Sequence, residues 1–432
     1  MTLLIDFAYL LAAIAYSPVV LYRMAKHRRY RTGWAQRFGR ITRTDNSKKS
    51  IWIHAVSVGE VNATRTIVKK LKKEFPDCEI VISTTTDTGF ARANNLYADS
   101  LRVFYFPLDF SLIMRRVFRT INPAVCLLME LEVWPNFVRI AQMNNVPIVI
   151  VNGRISDRSF AKYKKIKPIT RRIFRKVTLI LAQTQQYAER FKQIGALPER
   201  VLVTGSLKYD TAQIVDKVEG SDELGARLNI ENQKLWVAGA TGNDEEQIIL
   251  DVFKNLKQDD RFGDLRLAIV PRKPERFDEV ADLIEQAGFS LTRYSRIKNQ
   301  TTMSPTGKNT VILGDTMGDL RKFYSLAAII FVGRSLVPMG GSDMAEAAAL
   351  GKCTIFGPHA FNFTQTVNAL LADDGAIMVK DKQQLLQTVI KCLTKPDFIQ
   401  KIAQNGRNVI KKNQGATKKT IEHIKKLLIS AS

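Results

Sequence analysis

SIWIHAVSVGEVNATRTIVKKLKKEFPDCEIVIST, Ser50 to Thr84, is the stretch on which the fold turns. It opens on an apolar, β-rich run, Ser50–Val56. A basic amphipathic segment at helical spacing follows from Glu60 to Phe75, and a second β-rich run covers Glu79–Thr84. Strands joined by a crossover helix lie parallel and enter a buried sheet, so both runs are short and apolar throughout.

The same alternation continues outward. Helix Gly89–Tyr97, strand Arg102–Phe106, helix Ser111–Asn122, strand Ala124–Met129, helix Trp134–Asn144 and strands Pro147–Asn152 and Leu179–Ala182 follow. Residues 212–232 break the pattern: they are polar and without strong periodicity. Alternation then restarts with Lys234–Ala240, a helix to Lys257, Leu265–Val270, Glu275–Ala287, Thr310–Leu313, a helix over 318–326, Ala328–Val332, a helix over 343–350 and Cys353–Phe356. Repeated βα units of this kind make doubly wound parallel sheets. With 432 residues, the chain is long enough for two domains of about 200 residues each. The expected fold class is α/β, with two Rossmann-like doubly wound domains and a cleft between them. Ligands in such sheets sit beyond the carboxyl ends of the strands. The domains expected are 24–211 and 212–405, preceded by an anchor over 1–23. A Lys-rich helical end over 406–432 is expected to pack back on the first domain.

Leu3–Tyr22 is almost entirely apolar, and about 20 helical residues span one bilayer core. Arg23, Lys26, Arg28, Arg29, Arg31, Arg37 and Arg40 come directly after, and no Lys or Arg precedes the run. That is the pattern of a signal anchor with its basic flank on the cytoplasmic side. A helix lying in one leaflet or packed in a core are the other readings. Charge is uneven: residues 1–211 hold 35 Lys+Arg against 15 Asp+Glu, a balance of +20 out of the chain's +24. The first half therefore faces something anionic: a phospholipid surface, an acidic substrate or nucleic acid. No nucleic-acid signature accompanies the charge. Cys78, Cys126, Cys353 and Cys392 are scattered and without a CxxC pair, which argues for free thiols and against a structural zinc.

Several motifs follow strands. HAVSVGE (His54 to Glu60) places Glu60 in a first helical turn, where it is either a general base or a residue that complements the helix dipole. STTTDTG (Ser83 to Gly89) is a hydroxyl-rich turn that either meets a polar ligand or caps a helix. ELEVWPN (Glu130 to Asn136) puts Glu130 and Glu132 two apart, on one face if they belong to a strand. GSLKYD (Gly205 to Asp210) offers Lys208 to an anionic group. In the second half, PRKPER (Pro271 to Arg276) presents three cations, DTMGDL (Asp315 to Leu320) gives a turn with open amides, and GGSDMAEAAALG (Gly340 to Gly351) is a Gly-rich loop opening an Ala-rich helix. Asp343 and Glu346 there have the spacing of a capping box; the functional alternative is amides to phosphate and Glu346 to a ribose hydroxyl.

With NGRISDRS (Asn152 to Ser159) and GWAQRFGR (Gly33 to Arg40), these motifs occur in the order and at about the spacing of the bacterial 3-deoxy-D-manno-octulosonic acid (Kdo) transferases, a family the whole chain resembles. The resemblance implies a GT-B fold and inverting transfer of Kdo from CMP-Kdo to a phosphorylated, acylated lipid A precursor, with no bound metal and no cofactor. It places the enzyme at the bacterial inner membrane, with its catalytic domains on the cytoplasmic side. On this resemblance Glu60 is the catalytic base, and Glu132 and Lys208 stabilise the transition state. CMP contacts Pro271, Arg272, Met317, Gly318, Asp319, Asp343, Met344, Ala345 and Glu346. The chain departs from the family where PRHPER reads PRKPER, with Lys273 for His, where GGHN reads GGSD, with Asp343 for Asn, and where TGNDEE (Thr241 to Glu246) replaces a STHxGEE-like pattern. A GT-B transferase using another sugar nucleotide is the alternative within enzymes, and a basic nucleic-acid-binding protein the alternative outside them.

Overall fold

The computed structural model describes residues 2–27, 32–43, 45, 47–230, 233–298, 307 and 309–429. Arg28, Arg29 and Arg31 of the basic flank lie outside them. Two compact units divide the chain, one of Met1–Thr211 with Gln414–Ser432 and one of Ala212–Asn413.

The first unit is built on seven parallel strands: β1 (Ser50–His54), β2 (Glu79–Thr84), β3 (Arg102–Tyr105), β4 (Pro123–Met129), β5 (Ile148–Gly153), β6 (Leu179–Ala182) and β7 (Val201–Val203). Their order is β3-β2-β1-β4-β5-β6-β7. Chain direction across the sheet reverses between β1 and β4, which are neighbours paired from Ile51↔Val125 to His54↔Leu128. That switch point is where a doubly wound sheet opens a crevice at its carboxyl edge. β1 and β5 are buried at every position, as a strand covered on both faces must be. One core face gathers around Trp52, which packs on Phe104, Phe106, Phe118 and Phe137.

The second unit repeats the plan with β8 (Leu235–Thr241), β9 (Arg266–Pro271), β10 (Ser290–Arg293), β11 (Thr310–Leu313), β12 (Ile329–Val332), β13 (Cys353–Phe356) and β14 (Ile377–Met378). The order is β10-β11-β9-β8-β12-β13-β14, all parallel, with the switch point between β8 and β12. The Lys-rich end is two helices, because Gly415 at φ +105 breaks it after Pro396–Asn413. The last helix, Ala416–Ile429, packs on Val58–Glu74 in the first unit. Thr66 and Thr417 share a hydrogen bond of 2.8 Å there, and Lys425 pairs with Glu74 at 3.0 Å. All four cysteines are free.

At the amino end, Thr2–His27 is one helix despite Pro18. The Ile14 carbonyl, which loses its partner because proline has no N–H, accepts the Ser17 hydroxyl instead at 2.8 Å. Among the described residues no helix is long and apolar enough to cross a membrane, and the spanning anchor expected over Leu3–Tyr22 is not confirmed. The polar residues of the helix tie it to the first unit. Asp6 accepts hydrogen bonds from the Ser111 N–H and the Asn136 carboxamide, both at 2.9 Å. Tyr9 donates to Asp109 at 2.9 Å and meets the Phe110 ring edge-on. These contacts hold the helix against Ser111–Ile121 and Pro135–Met143. Its other side leaves Phe7, Leu10, Leu11, Ile14, Tyr16, Val19 and Tyr22 exposed.

Candidate active site

At the carboxyl end of β1, Ser57 caps the helix Val58–Glu74 and Glu60 is its third residue. The Glu60 N–H donates to the Ser57 Oγ, the Ser57 hydroxyl donates back to Glu60 Oε1 at 2.9 Å, and the Val56 N–H donates to Oε2 at 2.9 Å. The reading of Glu60 as a residue that complements the helix start is therefore fulfilled. It does not exhaust the residue. Burial pushes the Glu60 carboxyl up to about 7, against the Val56 and Ser57 hydrogen bonds, and the charges of Glu130 and Glu132 add to the rise. A fixed carboxylate that titrates near neutrality is suited to general-base work.

STTTDTG turns out to brace this turn. Ser83 accepts from Trp52 Nε1 at 2.8 Å and bonds His54 Nδ1 at 3.0 Å. Thr86 caps the helix Asp87–Tyr97 and donates to the Val56 carbonyl at 2.8 Å. A Cβ on Gly89 would stand 2.6 Å from that carbonyl, so only glycine lets the second turn close on the first. His54 is fully buried and stacks on Phe106 at 3.9 Å. Burial pulls its imidazole down to about 3, so it stays neutral.

ELEVWPN corrects one expectation. β4 ends at Met129, and Glu130 has φ +55 with its N–H on the Val151 carbonyl. Glu130 and Glu132 therefore stand on a turn beyond the strand, not on one strand face. Burial raises the Glu132 carboxyl, the Trp134 indole donates to it at 3.3 Å, and the Glu130 charge raises it further. The charges of Glu130 and Glu132 act on Glu60, and that of Glu130 acts on Glu132; all three follow the strands of the β1/β4 switch point. Lys208 stands on the short helix Leu207–Thr211, which packs against Val58–Glu74. Asn152, at φ +57 near the end of β5, accepts the Leu207 N–H on its side chain at 3.1 Å and fixes that helix.

In the second unit the carboxyl ends of β8, β9, β11 and β12 gather the remaining motifs. Pro271 closes β9, and the Arg272 N–H donates to the Thr241 carbonyl at 3.1 Å. Arg272 and Lys273 are exposed, but Arg276 is not the third open cation that the sequence suggested. It is buried against Glu246 at 2.6 Å and Glu279 at 2.7 Å. Met317 is 67% exposed and Gly318 has φ +93, so this turn does offer backbone. The Asp319 carboxylate is engaged: Lys298, Lys322 and the Thr316 hydroxyl bond it within 2.9 Å and hold it below its ordinary range although burial acts the other way. Asp343 caps Met344–Ala349 by accepting the Ala345 N–H at 3.0 Å, which turns its charge toward backbone donors. Met344 and Ala345 are buried, so any ligand there meets their backbone.

One organiser went unread in the sequence. Glu245, wholly buried, accepts the N–H groups of Gly242, Ser335 and Leu336 at 3.0, 2.7 and 2.8 Å, and that of Arg334 as well. It ties the turn after β8 to the loop after β12. The acidic run TGNDEE was the only trace of it, and nothing in that run says which glutamate is buried. Among the described residues no cluster of His, Cys, Asp and Glu could hold a metal ion.

A family model described as 3-deoxy-D-manno-octulosonic-acid transferase (kdotransferase) matches residues 32–211. The 3-deoxy-D-manno-octulosonic acid transferase of Haemophilus influenzae is 33% identical over 405 residues, which cover 93% of each chain. The chain belongs to the Kdo transferase family. The Bordetella pertussis 3-deoxy-D-manno-octulosonic acid transferase is 30% identical over 381 residues, 86% of each chain. A solved glycosyltransferase from Rickettsia africae matches this Kdo transferase with a TM-score of 0.55 at 15% identity, over 88% of this chain and 99% of that one. That likeness speaks for the fold, two parallel α/β units of the GT-B glycosyltransferase type.

Proposed function

We propose that this Kdo transferase moves Kdo from CMP-Kdo to a hydroxyl of a phosphorylated, acylated lipid A precursor, with inversion at the anomeric carbon. Glu60 takes the proton of the attacking hydroxyl. The acceptor oxygen bonds to the anomeric carbon of Kdo, the bond from that carbon to the phosphate oxygen breaks, and its electron pair leaves with CMP. Lys208 supplies positive charge to the reacting groups, and Glu132 stabilises the positive character that develops on the sugar. The second unit takes the nucleotide: Pro271 and Arg272, the backbone of Met317 and Gly318, and the Asp343–Glu346 segment, with Asp319 holding its turn in place. The observation that carries the reading is the Glu60 carboxylate, fixed by two hydrogen bonds and raised to about 7. It stands at the switch point of a basic unit whose acceptor is anionic. The exposed apolar side of Thr2–His27, with Lys26 exposed near its end, suits a helix lying in the headgroup layer. The enzyme then works on the cytoplasmic face of the bacterial inner membrane.

Transfer from freshly generated CMP-Kdo to tetraacylated lipid A precursor by the wild type, with a loss of about 100-fold or more in Glu60→Gln, is the expected result. Transfer that survives the substitution removes Glu60 from the role of base. A folded, vesicle-bound wild type that transfers nothing removes this substrate pair and turns attention to other sugar nucleotides.

A further inference from the structure

Tyr324, on the helix Leu320–Leu326, is 1% exposed, and the hydroxyl end of its ring reaches Gly239 in β8. A Cβ on Gly239 would come within 2.4 Å of its hydroxyl, so glycine at that position is what admits the ring. Gly239 is central: it pairs with Val332 of β12 on one side and Val270 of β9 on the other. The hydroxyl therefore lies at the switch point of the second sheet, where doubly wound folds take their ligands.

None of the described residues gives this hydroxyl a hydrogen bond; the groups acting on it are the charges of Glu346, Asp343 and Arg272. Tyr324 is almost wholly buried, so a ligand that reaches its hydroxyl can supply a hydrogen bond that no described residue gives it. A second unpartnered hydroxyl is close by along β8. Thr241 is 1% exposed, its Oγ1 has no partner, and its carbonyl holds the Arg272 N–H. Strained backbone marks the same spot, with Ala240 at φ +55 and Arg334 at φ +60. Non-glycine residues in that region persist where the surroundings impose them, and they cluster at ligand sites.

We infer that the Tyr324 hydroxyl donates a hydrogen bond to the phosphate of the nucleotide donor, in company with Arg272. This rests on the reading of the second unit as the CMP-sugar unit. Burial and the two carboxylates push the phenol's pKa up, so the group remains a proton donor and never a competing anion. A phosphate oxygen is an acceptor that can take this proton and face the Arg272 cation at once.

Tyr324→Phe removes one oxygen and no described hydrogen bond, so the fold is retained. Calorimetric titration of the full-length protein with CMP and with cytidine tests the assignment. The expected result is a loss of about tenfold or more in CMP affinity, the size of one hydrogen bond to a charged group, with cytidine affinity unchanged. An equal loss for both ligands places the hydroxyl on the nucleoside and overturns the phosphate contact. No loss for either overturns the inference while leaving the donor assignment intact. Failure of the wild type to bind CMP overturns both.

Discussion

Glu60→Gln separates two consequences of one buried carboxyl. Its rise from an ordinary 4.5 to about 7 corresponds to roughly 3 kcal/mol at about 1.4 kcal/mol per pH unit. The folded value lies above the unfolded one, so between those pH values the folded state holds a proton that the unfolded state has released. Stability from this group is present below about 4.5 and is lost as pH rises through 7. Glutamine can keep the contacts to Val56 and Ser57 and cannot ionise. The variant is expected to be more stable than wild type by about 1–3 kcal/mol at pH 8 and equal to it near pH 4.5, read by urea unfolding at both values. Asp109, which burial raises to about 7, and Glu132 titrate in both proteins, so the difference between the two is the quantity to read. Catalysis runs the other way. The wild-type kcat/KM is expected to fall about tenfold per pH unit below 7, as a base of that pKa requires, and the residual rate of the variant to show no such limb. A wild-type limb near 4.5, or a stability difference that does not change with pH, refutes the argument from burial.

Other expectations follow from the same contacts. Glu245→Gln puts an amide among backbone donors that face a carboxylate, and should cost about 2–4 kcal/mol in chemical unfolding while weakening CMP binding. Asp109→Ala leaves the N–H groups of Asn136 and Phe137 and the Tyr9 hydroxyl unpaired; a loss of about 2–4 kcal/mol is expected, with faster proteolysis inside Thr2–His27. Leu11→Glu with Ile14→Glu on the exposed side of that helix should lower binding to anionic vesicles by about tenfold or more, since burying one such side chain contributes about 1.5–3 kcal/mol. Transfer to a detergent-dispersed acceptor should be spared. Lys208→Met should lower kcat by about 100-fold with CMP affinity kept.

The alternation of strands and helices was legible because parallel strands covered on both faces are short apolar runs, and β2, β6, β11 and β13 have the limits that the sequence suggested. β7 and β14 escaped because they are edge strands of three and two residues, with too little burial to leave a pattern. β10 escaped for a related reason: Ser290 to Arg293 is an edge strand with a single buried position. The Glu130–Glu132 pair was misplaced by a residue or two of strand. Only the backbone shows that Glu130 leaves β4 with a positive φ, and nothing in the letters ELE distinguishes a strand end from a turn. Arg276 was overrated for the same reason, and the ion pairs of Asp319 left no trace in the sequence. A cation or carboxylate beside a ligand-bearing turn reads alike whether it faces outward or is already paired, and their partners Glu246, Glu279, Lys298 and Lys322 lie up to 30 residues away along the chain.

The turns that carry the candidate site residues share a mechanical cause. At the carboxyl ends of β4, β5, β8 and β12 stand Glu130, Asn152, Ala240 and Arg334, each at positive φ. Such conformations cost about 1–3 kcal/mol apiece and need rigid support. The support is visible: Val151 accepts the Glu130 N–H, Asn152 holds the Leu207 N–H, Gly333 bonds the Gly239 carbonyl beside Ala240, and Glu245 takes the Arg334 N–H. In each case the sheet supplies a fixed edge and one polar group locks the turn that leaves it. The motifs recognisable in the sequence are those turns. The groups that hold them, Asn152 and Glu245 among them, carry no signature of their own. Activity should therefore be as sensitive to Glu245 as to Arg272, though only Arg272 is expected to touch the nucleotide.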